Sequence, residues 1–183
     1  MDVFVRKGKQ KLIHLSLSDN CGLKLIFNRH NMNRFTMCKL IFVTNEYEKE
    51  IYEDYLYIFV ENMLGRIGSI PSLKQESLFG KIGEWQEYYY YDTAYIEKYS
   101  REIEFMTRAL FLSAEKYSIF LYECKGELWM ELNKGFSELS GLSPYDYYCN
   151  PINYRVSLNK ISEKKIQEWK STLEQYRSLC SVC

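Results

Sequence analysis

Alternating apolar and polar residues dominate the first third of the chain and predict an antiparallel sheet. Residues 12–17 place every second, apolar side chain on one face of a strand, and residues 23–27 repeat the pattern after a turn cluster at 18–22. Two such runs joined by a turn are typical of a β-hairpin. The apolar run 37–43 is expected to form a further, buried strand.

Two segments in the middle of the chain carry apolar residues at the three- and four-residue spacing of an amphipathic helix. The first helix is expected to begin at an N-cap, Asn45, and to end at Gly65. The second is expected to begin at Asp92 or Thr93 and to extend its apolar stripe to Leu110. Both stripes are broad enough to pack on a sheet.

The last third predicts a hairpin, a strand and a helix. Lys125-Gly126 separates two aromatic and branched runs, which favours a tight β-hairpin. Residues 154–158 predict a last strand. Ser162 is placed to cap the C-terminal helix, and Ile161 and Ile166 have the spacing of a hydrophobic staple.

The order of these elements predicts an α+β fold, with a mostly antiparallel sheet packed by about three helices. The length of the chain favours one domain over residues 1–183. Residues 65–91, which glycine and proline interrupt repeatedly, are expected to form loops with one short helix near residues 73–79. An internal boundary or a functional loop is expected in this stretch.

The chain is poor in the residue types that active-site chemistry needs. It has two histidines, no GxSxG motif, no phosphate-binding glycine loop, and no spacing typical of a metal site. Its six cysteines are scattered apart from Cys180 and Cys183, and a zinc site would need a second such pair. We therefore expect a protein that is not an enzyme and that holds no cofactor or metal.

The apolar runs of the chain are short. None approaches the length that spans a bilayer, and the N-terminal residues lack the apolar region of a signal peptide. We therefore expect a cytoplasmic protein without a membrane partner, in which the cysteines remain reduced thiols.

The charges of the chain balance but are unevenly placed. Residues 1–40 carry eight Lys/Arg against two Asp, for +6, and residues 46–61 carry six acids against one lysine, for −5. On the predicted first helix, one face collects acids and a tyrosine, at Glu46, Glu50, Asp54, Tyr57 and Glu61. Such a stripe can steer a basic partner onto itself. The alternative is that strands and helices pair these opposite charges within the fold.

Tyrosine is the most distinctive residue type, with 17 copies and four in a row. Tyrosine and tryptophan join a large ring to a polar tip, which suits a binding surface that must stay in water. The candidates for contact with a partner are the aromatic and acidic residues of one segment, Trp85, Glu87, Tyr88, Tyr90 and Asp92. The alternative is that alternate rings of this segment are buried in the core.

These features resemble those of small cytosolic immunity proteins, which protect bacteria from secreted or contact-delivered toxins. The resemblance covers the C-terminal half and rests on the run 127–136, the strand 154–158 and the helix after Ser162, together with chain length and missing catalytic motifs. It implies a stoichiometric inhibitor that covers the active site of a cognate toxin, often a nuclease. The acidic residues would then meet the basic groove of the toxin, with Tyr and Trp as anchors.

A nucleic-acid-binding protein is the first alternative. It would use the basic N-terminal sheet, with Arg29, His30, Arg34 and Lys39. Its signature would be salt-sensitive binding to DNA or RNA. The zero net charge makes this function less favoured than binding to a protein toxin.

An enzyme is the second alternative. It would use a carboxylate pair among Glu84, Glu87 and Asp92. Such a pair needs a deep pocket and at least one carboxyl with a perturbed pKa. The scarcity of histidine argues against this function.

Overall fold

A computed structural model of the chain describes residues 10–18, 21–28, 32–74, 81–86, 98–114, 116–135 and 150–181. These residues form nine strands and four helices. The strands are β1 Gln10–Ser18, β2 Cys21–Asn28, β3 Met37–Thr44, β4 Glu48–Tyr55, β5 Ser72–Leu73, β6 Leu110–Ser113, β7 Tyr117–Cys124, β8 Glu127–Lys134 and β9 Arg155–Ile161. The helices are α1 Leu56–Ile67, α2 Ser100–Ala109, α3 Pro151–Tyr154 and α4 Glu163–Ser181.

The chain divides into two compact units. Unit 1 consists of residues 1–64 and 167–183, and unit 2 consists of residues 65–166. Both sheets are mostly antiparallel and are accompanied by helices, which confirms the predicted α+β class. The single domain expected over residues 1–183 stays a prediction. None of the helices in the described part of the chain is long and apolar enough to cross a lipid bilayer.

Unit 1 contains a four-stranded antiparallel sheet in the order β1-β2-β3-β4. Strands β1 and β2 form the predicted hairpin, and Leu15 of β1 pairs with Leu23 of β2. One face, called here the inner face, is apolar and buried because every second residue of the first three strands points to it. It consists of Ile13, Leu15, Leu17, Leu23, Leu25, Phe27, Cys38, Leu40 and Phe42.

The C-terminal part of α4 packs on the inner face within unit 1. The indole Nε1 of Trp169 donates a hydrogen bond of 3.0 Å to the carbonyl oxygen of Ser16. The ring of Tyr176 meets Phe27 edge to face, with 5.7 Å between ring centroids. Leu173, between them on the helix, is fully buried. These residues form the face of α4 that packs on the sheet of unit 1.

The start of α4 is capped as the sequence predicts. The hydroxyl of Ser162 accepts a hydrogen bond of 3.3 Å from the backbone N–H of Lys165, three residues further on. Ile161 and Ile166, the expected hydrophobic staple, are both buried.

The first predicted helix is wrong over its N-terminal half. Asn45 caps no helix, because β4 forms between Glu48 and Tyr55 and pairs antiparallel with β3. The helix begins only at Leu56. A three- and four-residue spacing of apolar residues does not distinguish a helix from a bulged strand that is followed by a helix. Residues 48–55 form a strand because the edge of β3 is free to pair with them. Gly65 does not end α1, which continues to Ile67.

Unit 2 contains a second sheet, in the order β5-β7-β8-β9, with β6 also paired to β7. The predicted hairpin at Lys125-Gly126 is confirmed, and it joins β7 to β8. Both turn residues have positive φ, 55° and 77°, as a type I′ turn requires. The predicted last strand is β9, which runs from Arg155 to Ile161 and pairs with β8.

The remaining helix predictions of unit 2 hold in part. Helix α2 buries Ile103 and Met106 as its stripe predicts, but Leu110 already belongs to β6. Its expected start at residues 92–93 lies outside the described residues. Leu73, expected in a short helix, lies in β5 and pairs with β7 instead.

Two glycine substitutions test these assignments with opposite signs. Gly126→Ala should lower the free energy of unfolding by about 1 kcal/mol, because an alanine is strained at φ 77° although nothing lies near its Cβ. Gly65→Ala should raise it by about 0.5–1 kcal/mol, because the position is helical and equally open. Urea unfolding measures both. Equal effects of the two substitutions would contradict the turn assignment or the continuation of α1 past Gly65.

Candidate functional site

The face of the unit 1 sheet opposite the inner face is called here the outer face, and it is exposed or half-buried apart from Gly22. The register defines it, since residues paired across neighbouring strands lie on the same side of a sheet. It consists of Leu12, His14, Ser16, Gly22, Lys24, Ile26, Met37, Lys39, Ile41, Val43, Glu48, Glu50, Glu53 and Tyr55.

Opposite charges are paired across the strands of the outer face. Lys24 on β2 forms an ion pair with Glu48 on β4. Lys39 on β3 contacts Glu50 at 2.9 Å and Glu53 at 3.8 Å. Its hydrogen bond with Glu50 raises the pKa of Lys39. These residues bear out the alternative that the fold pairs the basic and acidic segments. Such exposed pairs are screened by solvent and contribute little to stability, so they leave the carboxylates available for exchange.

The predicted acidic helix face does not exist, because three of its five members lie outside any helix. Glu46 is exposed in the turn before β4, and Glu50 lies on the outer face. Asp54 points to the inner side of the same strand and accepts hydrogen bonds from the Tyr52 hydroxyl and the Tyr55 N–H.

The other two members of that set belong to α1. Tyr57 is half-buried, and Glu61 forms an ion pair of 2.7 Å with Arg177 of α4. The structure therefore keeps only Glu50 of the predicted set on the outer face. It adds Glu48 and Glu53, whose side chains are about half exposed.

An aromatic patch, formed by Phe35, Met37 and Tyr55, lies at one end of the outer face. Met37 is paired with Tyr55 across β3 and β4, and Phe35 in the preceding turn meets the Tyr55 ring edge to face at 6.0 Å. The three residues are 67%, 46% and 38% exposed. Exposed apolar residues scattered singly are ordinary, but a cluster of them on a face that also carries carboxylates is typical of an interaction site.

No local pattern in the sequence predicts the aromatic patch. Tyr55 falls within the predicted first helix, Met37 begins the predicted buried strand 37–43, and Phe35 lies just before that strand. They come together only because β4 pairs with β3 in this register.

The predicted aromatic site at residues 85–92 is wrong for the one member that the structure describes. Trp85 is 1% exposed and belongs to the core of unit 2. Its ring centroid lies 4.9 Å from that of Phe105 and 6.2 Å from that of Tyr122. Glu87, Tyr88, Tyr90 and Asp92 lie outside the described residues.

A fully buried carboxyl group, that of Glu131 on β8, holds Trp85 in place. Its Oε1 accepts hydrogen bonds from the Trp85 backbone N–H at 2.9 Å and from Asn133 Nδ2 at 3.2 Å. Its Oε2 accepts a hydrogen bond of 3.2 Å from the hydroxyl of Tyr122. The hydroxyl oxygen of Tyr122 in turn accepts a hydrogen bond from the N–H of Gly83. All these groups are buried.

Burial is the main influence on the pKa values of Glu131 and Tyr122. Loss of hydration raises the pKa of Glu131 to about 8, although four hydrogen-bond donors around it oppose the rise. Burial and the neighbouring Glu131 also raise the pKa of Tyr122 far above its usual value. The sequence analysis does not predict a role for Glu131. The pattern that could have indicated it is an acid within the mostly apolar run 127–132, in a strand that is buried on both faces.

The structure describes only some of the residues on which the two alternative functions would depend. Arg34 is exposed, Lys39 is ion-paired as described above, and Arg29 and His30 lie outside the described residues. Glu84 is half-buried and lies 3.9 Å from Lys81. Within the described ranges, no three His, Cys, Asp or Glu side chains come together as a metal site would require.

Comparisons of the chain with models of protein families, with curated proteins and with solved structures return no match.

Removing the Tyr122 hydroxyl tests the buried network. Tyr122→Phe should lower the free energy of unfolding by about 1–3 kcal/mol, because the buried N–H of Gly83 loses its acceptor. Tyr55→Phe on the exposed outer face is the matched control and should change stability by less than about 0.5 kcal/mol. Urea unfolding distinguishes the two. Equal losses would mean that the hydroxyl of Tyr122 is dispensable.

Proposed function

We propose that this chain is a non-enzymatic binding protein that uses the outer face of unit 1 to hold a basic protein. The observation that carries the proposal is that the aromatic patch shares one sheet face with three half-exposed carboxylates of the edge strand β4, Glu48, Glu50 and Glu53. An apolar centre with a charged rim is the usual composition of a protein-protein interface. Here the rim is acidic along β4.

The aromatic patch supplies anchors of the kind that dominate binding energy. Phe35 and Tyr55 already support each other edge to face, so little side-chain freedom is lost when a partner covers them. Tyr55 also keeps a polar tip that can hydrogen-bond at the rim. Truncation of such rings typically costs a complex more than truncation of the contacts around them.

The carboxylates select a basic partner. Lys39 bridges Glu50 and Glu53 as a single point charge, at 2.9 Å and 3.8 Å. A guanidinium group of a partner offers a planar fork of donors and matches carboxylates better than an ammonium group does. Exchange of Lys39 for a partner arginine is therefore favourable at low cost, since the existing pairs are exposed.

Within this class, the function that fits best is that of a cytoplasmic immunity protein that neutralises a cognate toxin by covering its active site. The resemblance to such proteins implies a basic target, often a nuclease, and the acidic strand β4 suits the groove with which a nuclease holds nucleic acid. Nucleic acid itself is the less favoured ligand, because Lys24 and Lys39 of this sheet are already ion-paired to carboxylates.

A binding experiment tests this proposal directly. The protein is co-expressed with the product of the gene directly upstream, where the resemblance implies a toxin, and the purified complex is measured by calorimetry. Phe35→Ala and Tyr55→Ala should each weaken binding about tenfold or more, because each removes an anchor. Glu50→Lys should weaken it further as the salt concentration falls, because it introduces like-charge repulsion.

Matched controls come from unit 2. Ile152→Ala removes an apolar side chain that is 82% exposed, and Glu127→Lys reverses a carboxylate that is ion-paired to Lys160. Both should leave the affinity unchanged. A complex that is insensitive to Phe35 and Tyr55 contradicts the proposed surface, and recovery of nucleic acid in place of a protein favours the alternative function.

A further inference from the structure

We propose that Glu131 is a proton-operated lock that holds residues 81–86 against the sheet of unit 2. This inference is independent of the proposed function, because it concerns a different unit and a different set of contacts. It assigns a role to a buried carboxyl group that the outer face of unit 1 does not use.

The geometry of the lock is a set of hydrogen bonds from sheet side chains to the backbone of one segment. The N–H of Trp85 donates to Glu131, and the carbonyl oxygen of Trp85 accepts from Asn133 Nδ2. The N–H of Gly83 donates to the Tyr122 hydroxyl, and its carbonyl oxygen accepts from Arg155 Nη1 at 3.2 Å. Both backbone groups of two residues are therefore held by side chains of β7, β8 and β9.

The Glu131 carboxyl group is the centre of these bonds. It contacts Trp85 directly, and it contacts both Tyr122 and Asn133, which hold Gly83 and Trp85 respectively. One of the four backbone bonds is thus made by this carboxyl, and two more are made by side chains that bond to it. A change in the charge of this carboxyl therefore affects the bonds that hold residues 81–86.

The surroundings leave the carboxyl without a compensating charge among the described residues. Strand β7 presents the titratable groups Tyr122 and Cys124, and α2 contributes the apolar side chains of Phe105, Met106 and Ala109 to the same core. On the segment itself, Lys81 is paired with Glu84.

The cations of the neighbouring strand are also engaged elsewhere. Arg155 of β9 donates to the Gly83 carbonyl, and Lys160 of the same strand pairs with Glu127. An ionised Glu131 therefore keeps a buried charge that only water can compensate, and water reaches it when residues 81–86 lift off the sheet.

The direction of the pH effect follows from burial. The pKa of Glu131 is about 8 in the folded protein, against 4.5 for the free group. The folded protein therefore binds more protons than the unfolded chain between these values. The stability contributed by the protonated group is complete below pH 4.5 and is lost as the pH rises through 8. The lock is closed at neutral pH and opens in mild alkali.

Limited proteolysis tests the lock. Trypsin cleaves after Lys81, an exposed residue at the start of the segment, and after Lys125 in the exposed β7–β8 turn, which serves as the internal control. In the wild-type protein, the initial rate at Lys81 relative to Lys125 should rise about tenfold between pH 7 and pH 9, as the ionised fraction of a group with pKa 8 does. In Glu131→Gln the ratio should stay constant.

A second measurement needs no substitution and keeps the proposal testable if Glu131→Gln does not fold. In protein labelled with ¹⁵N-tryptophan, the backbone amide resonance of Trp85 should shift with a midpoint near pH 8, while that of Trp169 in unit 1 should not. A rate ratio that is equally pH-dependent in Glu131→Gln, or a flat Trp85 resonance, overturns the proposal.

Discussion

Antiparallel pairing of β4 with β3 determines the surface of unit 1 on which the proposed function depends. The register sets Glu53 opposite Lys39 and Tyr55 opposite Met37, and so turns an acidic run into one edge of a sheet. Carboxylates on an edge strand also discourage pairing with another chain, so the same residues protect the fold. The aromatic patch and the acidic rim are thus consequences of one strand pairing. Had residues 45–55 formed a helix, neither surface would exist.

Unit 2 contains a carboxyl group, that of Glu131, which is buried and not exposed. The carboxylates of β4 stay in water and exchange partners at little cost, whereas Glu131 is withdrawn into the core and is held by Trp85, Tyr122 and Asn133. A buried carboxyl is weak evidence for stability, because removing it from water is costly. It is better explained as a device that fixes where residues 81–86 lie and that makes their position sensitive to pH.

Particular residues show which parts of the structure can be predicted from the sequence and which cannot. Ser162 and Lys125-Gly126 were predictable because a cap and a type I′ turn are decided by neighbours within four residues. Residues 48–55 were not, because an apolar three- and four-residue spacing fits a bulged strand followed by a helix equally well. The roles of Phe35 and Glu131 depend on partners 20 and 46 residues away, at Tyr55 and Trp85, and no local pattern carries such information.

Binding of a basic protein to the outer face of unit 1 can be followed at the methyl groups of methionine side chains. Met37 lies in the aromatic patch and is half exposed, whereas Met63, Met106 and Met130 are buried. In protein labelled with ¹³C-methyl methionine and titrated with the co-expressed partner, the Met37 signal should shift most and the three buried signals should stay in place. An unchanged Met37 signal in a saturated complex would contradict the account.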